Sequence, residues 1–432
     1  MAPKSNSREP RRPDRGARDP GGGPPIAVEI HALAAGGDAV GRDDGGRAVF
    51  VAGAAPGELV QVRLRETHAR WARGDLAGVT RASPSRVLPP CPLFASRACG
   101  GCQWQHVDDA TQQAQKQQIV AGALRKLVAA GMELRPFAAP VAPYGWRRRA
   151  RFAVHLDQVG MGDARGPRAL IGFHEPRGHD VCDVPACPQL DPALEAVLVA
   201  VRAANLVRGD GELHAIIGAG TEGTLRAHVV IDAPCDEAAA AGLVGQAGIA
   251  GVAWRGGSAG APAIEIEPGL FARGDGFAQA SRAGNDALRA FVRAALAAQR
   301  GERVLELYAG AGNFTRDALD AGALVVATDI ADSGASQFVV GAADAVTRDL
   351  VARGETFDAV LLDPPRTGAR DVVTQLAALR PSRIVYVSCD PATFARDAEH
   401  LVAAGYAPRW AQALDLMPQT SHVELVARFE RT

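Results

Sequence analysis

The chain has 432 residues, 47% of them hydrophobic, with charged residues that nearly cancel to a formal net charge of -1, and 7 cysteines. At roughly 150 residues per domain this implies about three domains; no run of about 18 apolar residues offers a membrane span and the N-terminus lacks a signal-like apolar stretch, so a soluble, cytoplasmic protein is expected. Near-neutral charge excludes a polycation that coats nucleic acid unselectively, and an odd cysteine count with Cys91, Cys99 and Cys102 crowded together points to metal ligation or catalysis rather than disulfides.

Residues 1–24 are rich in Arg, Asp, Pro and Gly without apolar periodicity and read as a disordered tail. Over 25–84, short alternating runs (IAVEIHAL, AVFVAG, ELVQVRLRET, LAGVTRAS) between glycine turns predict a small β-barrel. Its Arg63, Arg65, Arg70, Trp71 and Arg73 interleave cations with an aromatic ring, a pattern that suits phosphate contact and base stacking as well as it suits a solvated face. Residues 85–267 read as an α+β central region. It holds the cysteine-rich segment, a helical stretch (DDATQQAQKQQIVAGALRKLVAAG), and Arg147, Arg148, Arg149 and Arg151 leading into a strand, where alternate arginines face opposite sides. From 268 to 432 strands alternate with glycine turns and helices, which describes an α/β domain with a mostly parallel sheet and ligands at the strands' C-terminal ends.

Three segments of that last region carry chemistry. VLELYAGAGNFT puts Gly310 and Gly312 directly after a buried strand, where the lack of a Cβ lets a small cofactor approach the backbone; Asn313 follows where a nicotinamide turn would continue differently. The next strand ends in Asp329, placed to accept hydrogen bonds from ribose hydroxyls. In LLDPPRTG, Asp363 ends an apolar strand before two prolines, and either orients a substrate's polar edge or belongs to a rigid turn. In YVSCDPATFARD, Cys389 ends a strand just before a helix, a position expected to expose the sulfur and lower its pKa through the helix's N-terminal partial charge.

Together VLELYAGAGNFT, LLDPPRTG, YVSCDPATFARD and DLMPQTSHVE resemble the RNA uracil-5 methyltransferase family, and the barrel resembles a TRAM domain, an OB-like RNA-binding module of its ribosomal-RNA branch. The resemblance implies a Rossmann-like class I methyltransferase domain, S-adenosylmethionine as methyl donor and RNA as partner, with 23S ribosomal RNA favoured over transfer RNA. It implies Cys389 as nucleophile toward carbon 6 of a uracil and Glu424 as the base that removes the carbon 5 proton. For the cofactor it carries over to Gln279, Tyr308, Gly310, Gly312, Asn313, Asp329 and Asp363, and it puts Phe277 beside an extruded base; His422, which adjoins Glu424, reads as a structural hydrogen-bonder, with assistance to that base as the alternative.

In the ribosomal-RNA branch a 4Fe-4S cluster is held by cysteines that map to Cys91, Cys99, Cys102 and Cys187, with zinc as the alternative and Cys182 near enough in sequence to substitute; Cys235 reads as a small hydrophobe. The chain departs from the family pattern after Asp329, where IADSGASQFVVGAADA is short and an aspartate replaces glutamate, leaving Asp344 as a candidate for the adenine; Ser281 replaces an asparagine. A monomer is expected. A noncatalytic RNA-binding protein on a degenerate methyltransferase scaffold is the reading of a different class, set against the retention of Cys389, Glu424, Asp363 and Gln279.

Overall fold

The computed structural model describes residues 23–157, 168–220, 222–330 and 338–432, in two compact units that divide after Val87. The tail expected at 1–24 falls outside the described residues up to residue 22, as does most of the short segment after Asp329.

The first unit is a closed barrel of the strands Ile26–Leu33, Ala39–Arg42, Ala48–Val51, Leu59–Thr67 and Trp71–Arg81. Alternation fills it: Val28, Ile30, Val49, Val51, Val60, Val62 and Ala72 are buried while their neighbours are more exposed. Trp71 stacks on His68 with ring centroids 4.0 Å apart and lies 5.5 Å from the Arg73 guanidinium, so cations and the aromatic ring interleave here as the sequence suggests.

The second unit contains two large sheets. A seven-stranded sheet runs, in spatial order, Gly257–Gly260, Ile249–Trp254, Arg226–Asp232, Gly211–Gly218, Arg149–Asp157, Arg168–His174 and Val181–Asp183. The helix Pro192–Ala203, capped by Asp191, covers one face with Leu194, Val197, Leu198 and Val201. The eight-stranded sheet follows the order Phe338–Val340, Leu324–Asp329, Arg303–Leu307, Ala359–Leu362, Arg383–Ser388, Glu424–Arg431, Tyr406–Leu414 and Glu133–Leu134. Its first five strands are parallel, and Glu424–Arg431 returns antiparallel beside Arg383–Ser388.

The strand order reverses between Arg303–Leu307 and Ala359–Leu362, which opens a crevice at their carboxyl ends. Helix Arg282–Leu296 covers one face of this sheet, while Ala343–Ala352, Arg370–Leu376 and Pro391–Ala403 cover the other. The helix Asp109–Ala129 joins that second layer: Val120, Leu124 and Leu127 share a core with Phe394 and Leu401. The segment assigned from sequence to the central region therefore packs against the C-terminal sheet, to which Glu133–Leu134 adds a short edge strand.

Asp397 ties the loop after Asp363 to the helix after Cys389. It is fully buried, and its Oδ2 accepts the Ala369 N–H at 2.6 Å and the Tyr386 hydroxyl at 2.8 Å. Gly368 lies so close that a Cβ would sit 2.4 Å from Oδ2, and its φ of +77° already favours glycine. Replacing Asp397 with alanine strands both buried donors, so Asp397→Ala is expected to lower unfolding free energy by about 3 kcal/mol, read from the denaturant midpoint.

Candidate active site

At the crevice, the chain leaves Arg303–Leu307 through Tyr308 (φ +62°), Gly310 (φ +54°) and Gly312 (φ +85°). A Cβ on Gly310 would meet nothing nearer than Phe277 at 4.0 Å, so the turn needs glycine for its backbone conformation and leaves open space on that side. The Gly310 N–H donates to Asp329 Oδ2 at 2.9 Å, fixing the acidic residue against the turn. Asn313 and Asn285 exchange amide hydrogen bonds at 3.0 and 2.8 Å. Gln279 is half-buried on the segment that leads into helix Arg282–Leu296, and Ser281 caps that helix by accepting from Gly284 N–H at 3.2 Å; the residue that departs from the family pattern thus anchors the segment itself. Phe277 is exposed, with the Arg149 guanidinium 5.8 Å from its ring centre. Asp344 opens the helix Ala343–Ala352 and pairs with Arg348 at 3.1 Å, while its charge, after burial, helps push the Tyr308 phenol up to about 12.

Across the crevice the strand register assembles a second group. Leu307 pairs with Leu362, Leu362 with Tyr386, and Ser388 with Leu425, so the residues that follow or precede those pairs, among them Asp363, Cys389 and Glu424, emerge along one edge. Glu424 is buried, and burial together with the charge of Asp363 holds its carboxyl well above the usual range, opposed by Arg366. Burial raises Asp363 to about 7. Cys389 is half-buried, and burial, then Glu424, push its thiol up to about 11 against the pull of Arg366.

This corrects the expectation of a thiol acidified by the adjoining helix. The carboxylate of Asp390 accepts the Ala392 and Thr393 N–H groups, both at 2.9 Å, so the donors of the first turn are spent on the cap rather than turned toward sulfur. Desolvation and the nearby carboxyls then decide the sign.

Two residues escaped the sequence reading. Arg366, in the proline loop, acts on Cys389, Glu424 and His422, and its Nη2 lies 3.0 Å from His422 Nε2; burial and this cation lower His422 to about 4, leaving a neutral ring. Glu306 stands in the middle of the buried strand RVLEL, where burial raises it to about 8 and the Thr315 hydroxyl donates to Oε2 at 2.6 Å. A charge inside an apolar strand was the available signal for Glu306; for Arg366 the signal was a cation directly after the two prolines.

Cys91, Cys99, Cys102 and Cys187 line one narrow pocket with Gln105, Arg147, Gln189 and Thr420. All four are free, burial raises Cys99 and Cys187 and pushes Cys102 up to about 12, and Gln105 Oε1 and Arg147 Nε are buried there without a hydrogen-bond partner. One buried and three partly buried thiols, with unspent polar atoms beside them, fit a site that a metal centre completes. Among the described residues, though, no group of three His, Cys, Asp or Glu side chains has the arrangement of a metal site as it stands. Cys182 is buried beside Cys99 but does not line the pocket. Among the described residues no helix is long and apolar enough to cross a membrane.

The chain matches the TRAM domain family over residues 25–77 and the tRNA (Uracil-5-)-methyltransferase family over residues 345–431. It is 34% identical to the 23S rRNA (uracil(1939)-C(5))-methyltransferase RlmD of Pectobacterium carotovorum subsp. carotovorum, over 94% of this chain and 93% of that protein. The protein of the same name from Edwardsiella ictaluri is 33% identical, over 94% and 95%. Among solved structures, the Pyrococcus abyssi tRNA (uracil-54, C5)-methyltransferase in complex with S-adenosyl-L-homocysteine shares the fold, with a TM-score of 0.68 and 23% identity over 94% of this chain and 99% of that one.

A thiol held near 11 in the free protein reacts slowly at neutral pH. Alkylation of Cys389, followed by peptide mass spectrometry, is expected to accelerate steadily as pH rises toward about 11 and to slow further in Arg366→Ala; a rate already level at neutral pH would contradict the electrostatics.

Proposed function

The chain belongs to the RNA uracil-5 methyltransferase family, and from that premise we propose that it transfers the methyl group of S-adenosylmethionine to carbon 5 of a uridine in 23S ribosomal RNA. The observation that carries this reading is the strand register, which brings Cys389 and Glu424 to one buried edge beside the glycine turn. Likeness over 94% of the chain to ribosomal-RNA enzymes favours that RNA over transfer RNA.

Carbon 5 of uracil is too weak a nucleophile to take a methyl group unaided. The target base leaves its stack, since stacking hides both faces of the ring, and Phe277 with the Arg149 cation offers an exposed aromatic surface near the glycine turn. Cys389 Sγ, as thiolate, adds to carbon 6 and pushes electrons into an enolate. Carbon 5 then takes the methyl group, with S-adenosylhomocysteine as the leaving product. Glu424, as carboxylate, removes the carbon 5 proton; the enolate re-forms and expels the Cys389 thiolate.

Arg366 supplies the charge that this sequence of steps needs, because it stabilises the anion on either Cys389 or Glu424. After burial, the charge of Glu424 is what most opposes the Cys389 thiolate, an opposition that ends once sulfur is bonded to carbon 6. Asp363, near 7, sits beside Glu424 as a group for the uracil's polar edge or the cofactor.

For the cofactor we assign Gln279, Tyr308, Gly310, Gly312, Asn313 and Asp329. The open side of the glycine turn and the fixed Asp329 carboxylate support the assignment. Cys91, Cys99, Cys102 and Cys187 would hold a 4Fe-4S centre, whose contribution is to cross-link the segments it binds, because methyl transfer requires no electron.

Incubation with labelled S-adenosylmethionine and total RNA from cells lacking the gene should place label in 5-methyluridine of the ribosomal fraction. Cys389→Ala is expected to lose at least about 10⁴-fold of that activity, and Glu424→Gln to accumulate a covalent RNA adduct seen as a shifted band. Label in the transfer-RNA fraction alone would change the substrate; no label from folded protein would end the enzymatic reading. Anaerobically purified protein should carry about four iron and four sulfide per chain, whereas about one zinc would replace the cluster with a structural metal.

A further inference from the structure

We propose that Gln112 is a positioning residue for proton removal: it grips Gln419 and so sets the loop that delivers His422 and Glu424 to the reacting base. This rests on the roles given above to Cys389 and Glu424.

Residues 415–423 connect the strands Tyr406–Leu414 and Glu424–Arg431 and are held from outside by a segment some three hundred residues earlier in the chain. Gln112 and Lys116 lie one turn apart on the helix Asp109–Ala129, both buried. Lys116 Nζ donates to Asp415 Oδ1 at 2.7 Å and to the Met417 carbonyl at 3.2 Å, securing the start of the loop.

Gln112 secures its middle. Its Oε1 accepts the Gln419 N–H at 3.1 Å, and its Nε2 donates to Gln419 Oε1 at 2.9 Å. Gln419 Nε2 donates to Asp109 Oδ1 at 3.0 Å, and the Gln419 carbonyl accepts from the N–H groups of Gln103 and Trp104 at 3.0 and 3.1 Å. The backbone N–H, the carbonyl and both amide atoms of Gln419 are therefore engaged by residues 103–112. Gln419 also adopts φ +68°, a left-handed conformation that a side chain other than glycine keeps only when its surroundings enforce it.

Beyond Gln419 the loop enters the site. The Thr420 hydroxyl donates to the Met417 carbonyl at 2.7 Å and accepts from the His422 N–H at 3.3 Å; the His422 ring meets Arg366, and Glu424 begins the next strand. Strand pairing of Glu424 with Leu414 holds its backbone from one side, and the Gln112 grip sets the direction from which the chain arrives.

A misaimed base slows proton removal while leaving thiolate addition and methyl transfer intact. Ribosomal RNA transcribed with 5-fluorouridine separates these steps, because it has no carbon 5 proton to lose and stops at the methylated adduct. Full-length Gln112→Leu is expected to form that adduct at the wild-type rate. On ordinary transcript its kcat should fall about 10- to 100-fold with KM unchanged, its RNA adduct should accumulate, and its isotope effect with 5-deuterated uridine should rise. Gln419→Gly, which relieves the backbone conformation but removes the side-chain grip, should behave alike and covers the case in which Gln112→Leu fails to fold.

Equal slowing of fluorinated-adduct formation and turnover, or no change in either, overturns the proposal. Glu424→Gln serves as reference: if it traps adduct and the Gln112 and Gln419 variants do not, only this inference falls. If Glu424→Gln traps none, the assignment of the base falls with it.

Discussion

Desolvation at the carboxyl edge of the eight-stranded sheet is the constraint on which the rest of the second unit turns. Cys389, Asp363, Glu424 and Glu306 all lose water there, and each is pushed toward its neutral form. A site composed only of such groups would be inert. Arg366 changes that balance, since its guanidinium favours an anion on whichever neighbour ionises. It reaches them because Asp397 pins the proline loop beneath the same helix that follows Cys389.

Holding that edge together requires parts of the chain that are far apart in sequence. The strand that begins at Glu424 is antiparallel to the one that ends before Cys389, so a residue at the start of one strand meets a residue at the end of another. The loop leading into Glu424 is supported in turn by the helix Asp109–Ala129, and Thr420 of that loop lines the cysteine pocket. The cysteine-bearing segment and the edge that carries Glu424 thus share a wall at Thr420.

What could be read from the sequence follows from what is local. The glycine turn, the strand ends at Asp329 and Asp363, and Cys389 before a helix are all written within a few residues of themselves, as strand and turn signals in one stretch. Burial of Glu306 was legible in principle, because its neighbours in RVLEL are apolar. The helix Asp109–Ala129 was legible as a helix, but its partner was not: Gln112 and Lys116 look like polar surface positions until Gln419 and Asp415 arrive from the other end of the chain. The same limit explains the thiol. Proximity of Cys389 to a helix start was visible, whereas the consumption of that helix's donors by Asp390 and the approach of Glu424 depend on geometry.

A thiol held high in the free protein is protected as well as restrained. A thiolate present at all times would be open to oxidation and to stray electrophiles. Here burial, then the charge of Glu424, hold the thiol up to about 11. The charge of Glu424 opposes an anion on sulfur and Arg366 favours one, so the charge that Cys389 can hold is set by the groups that share its edge.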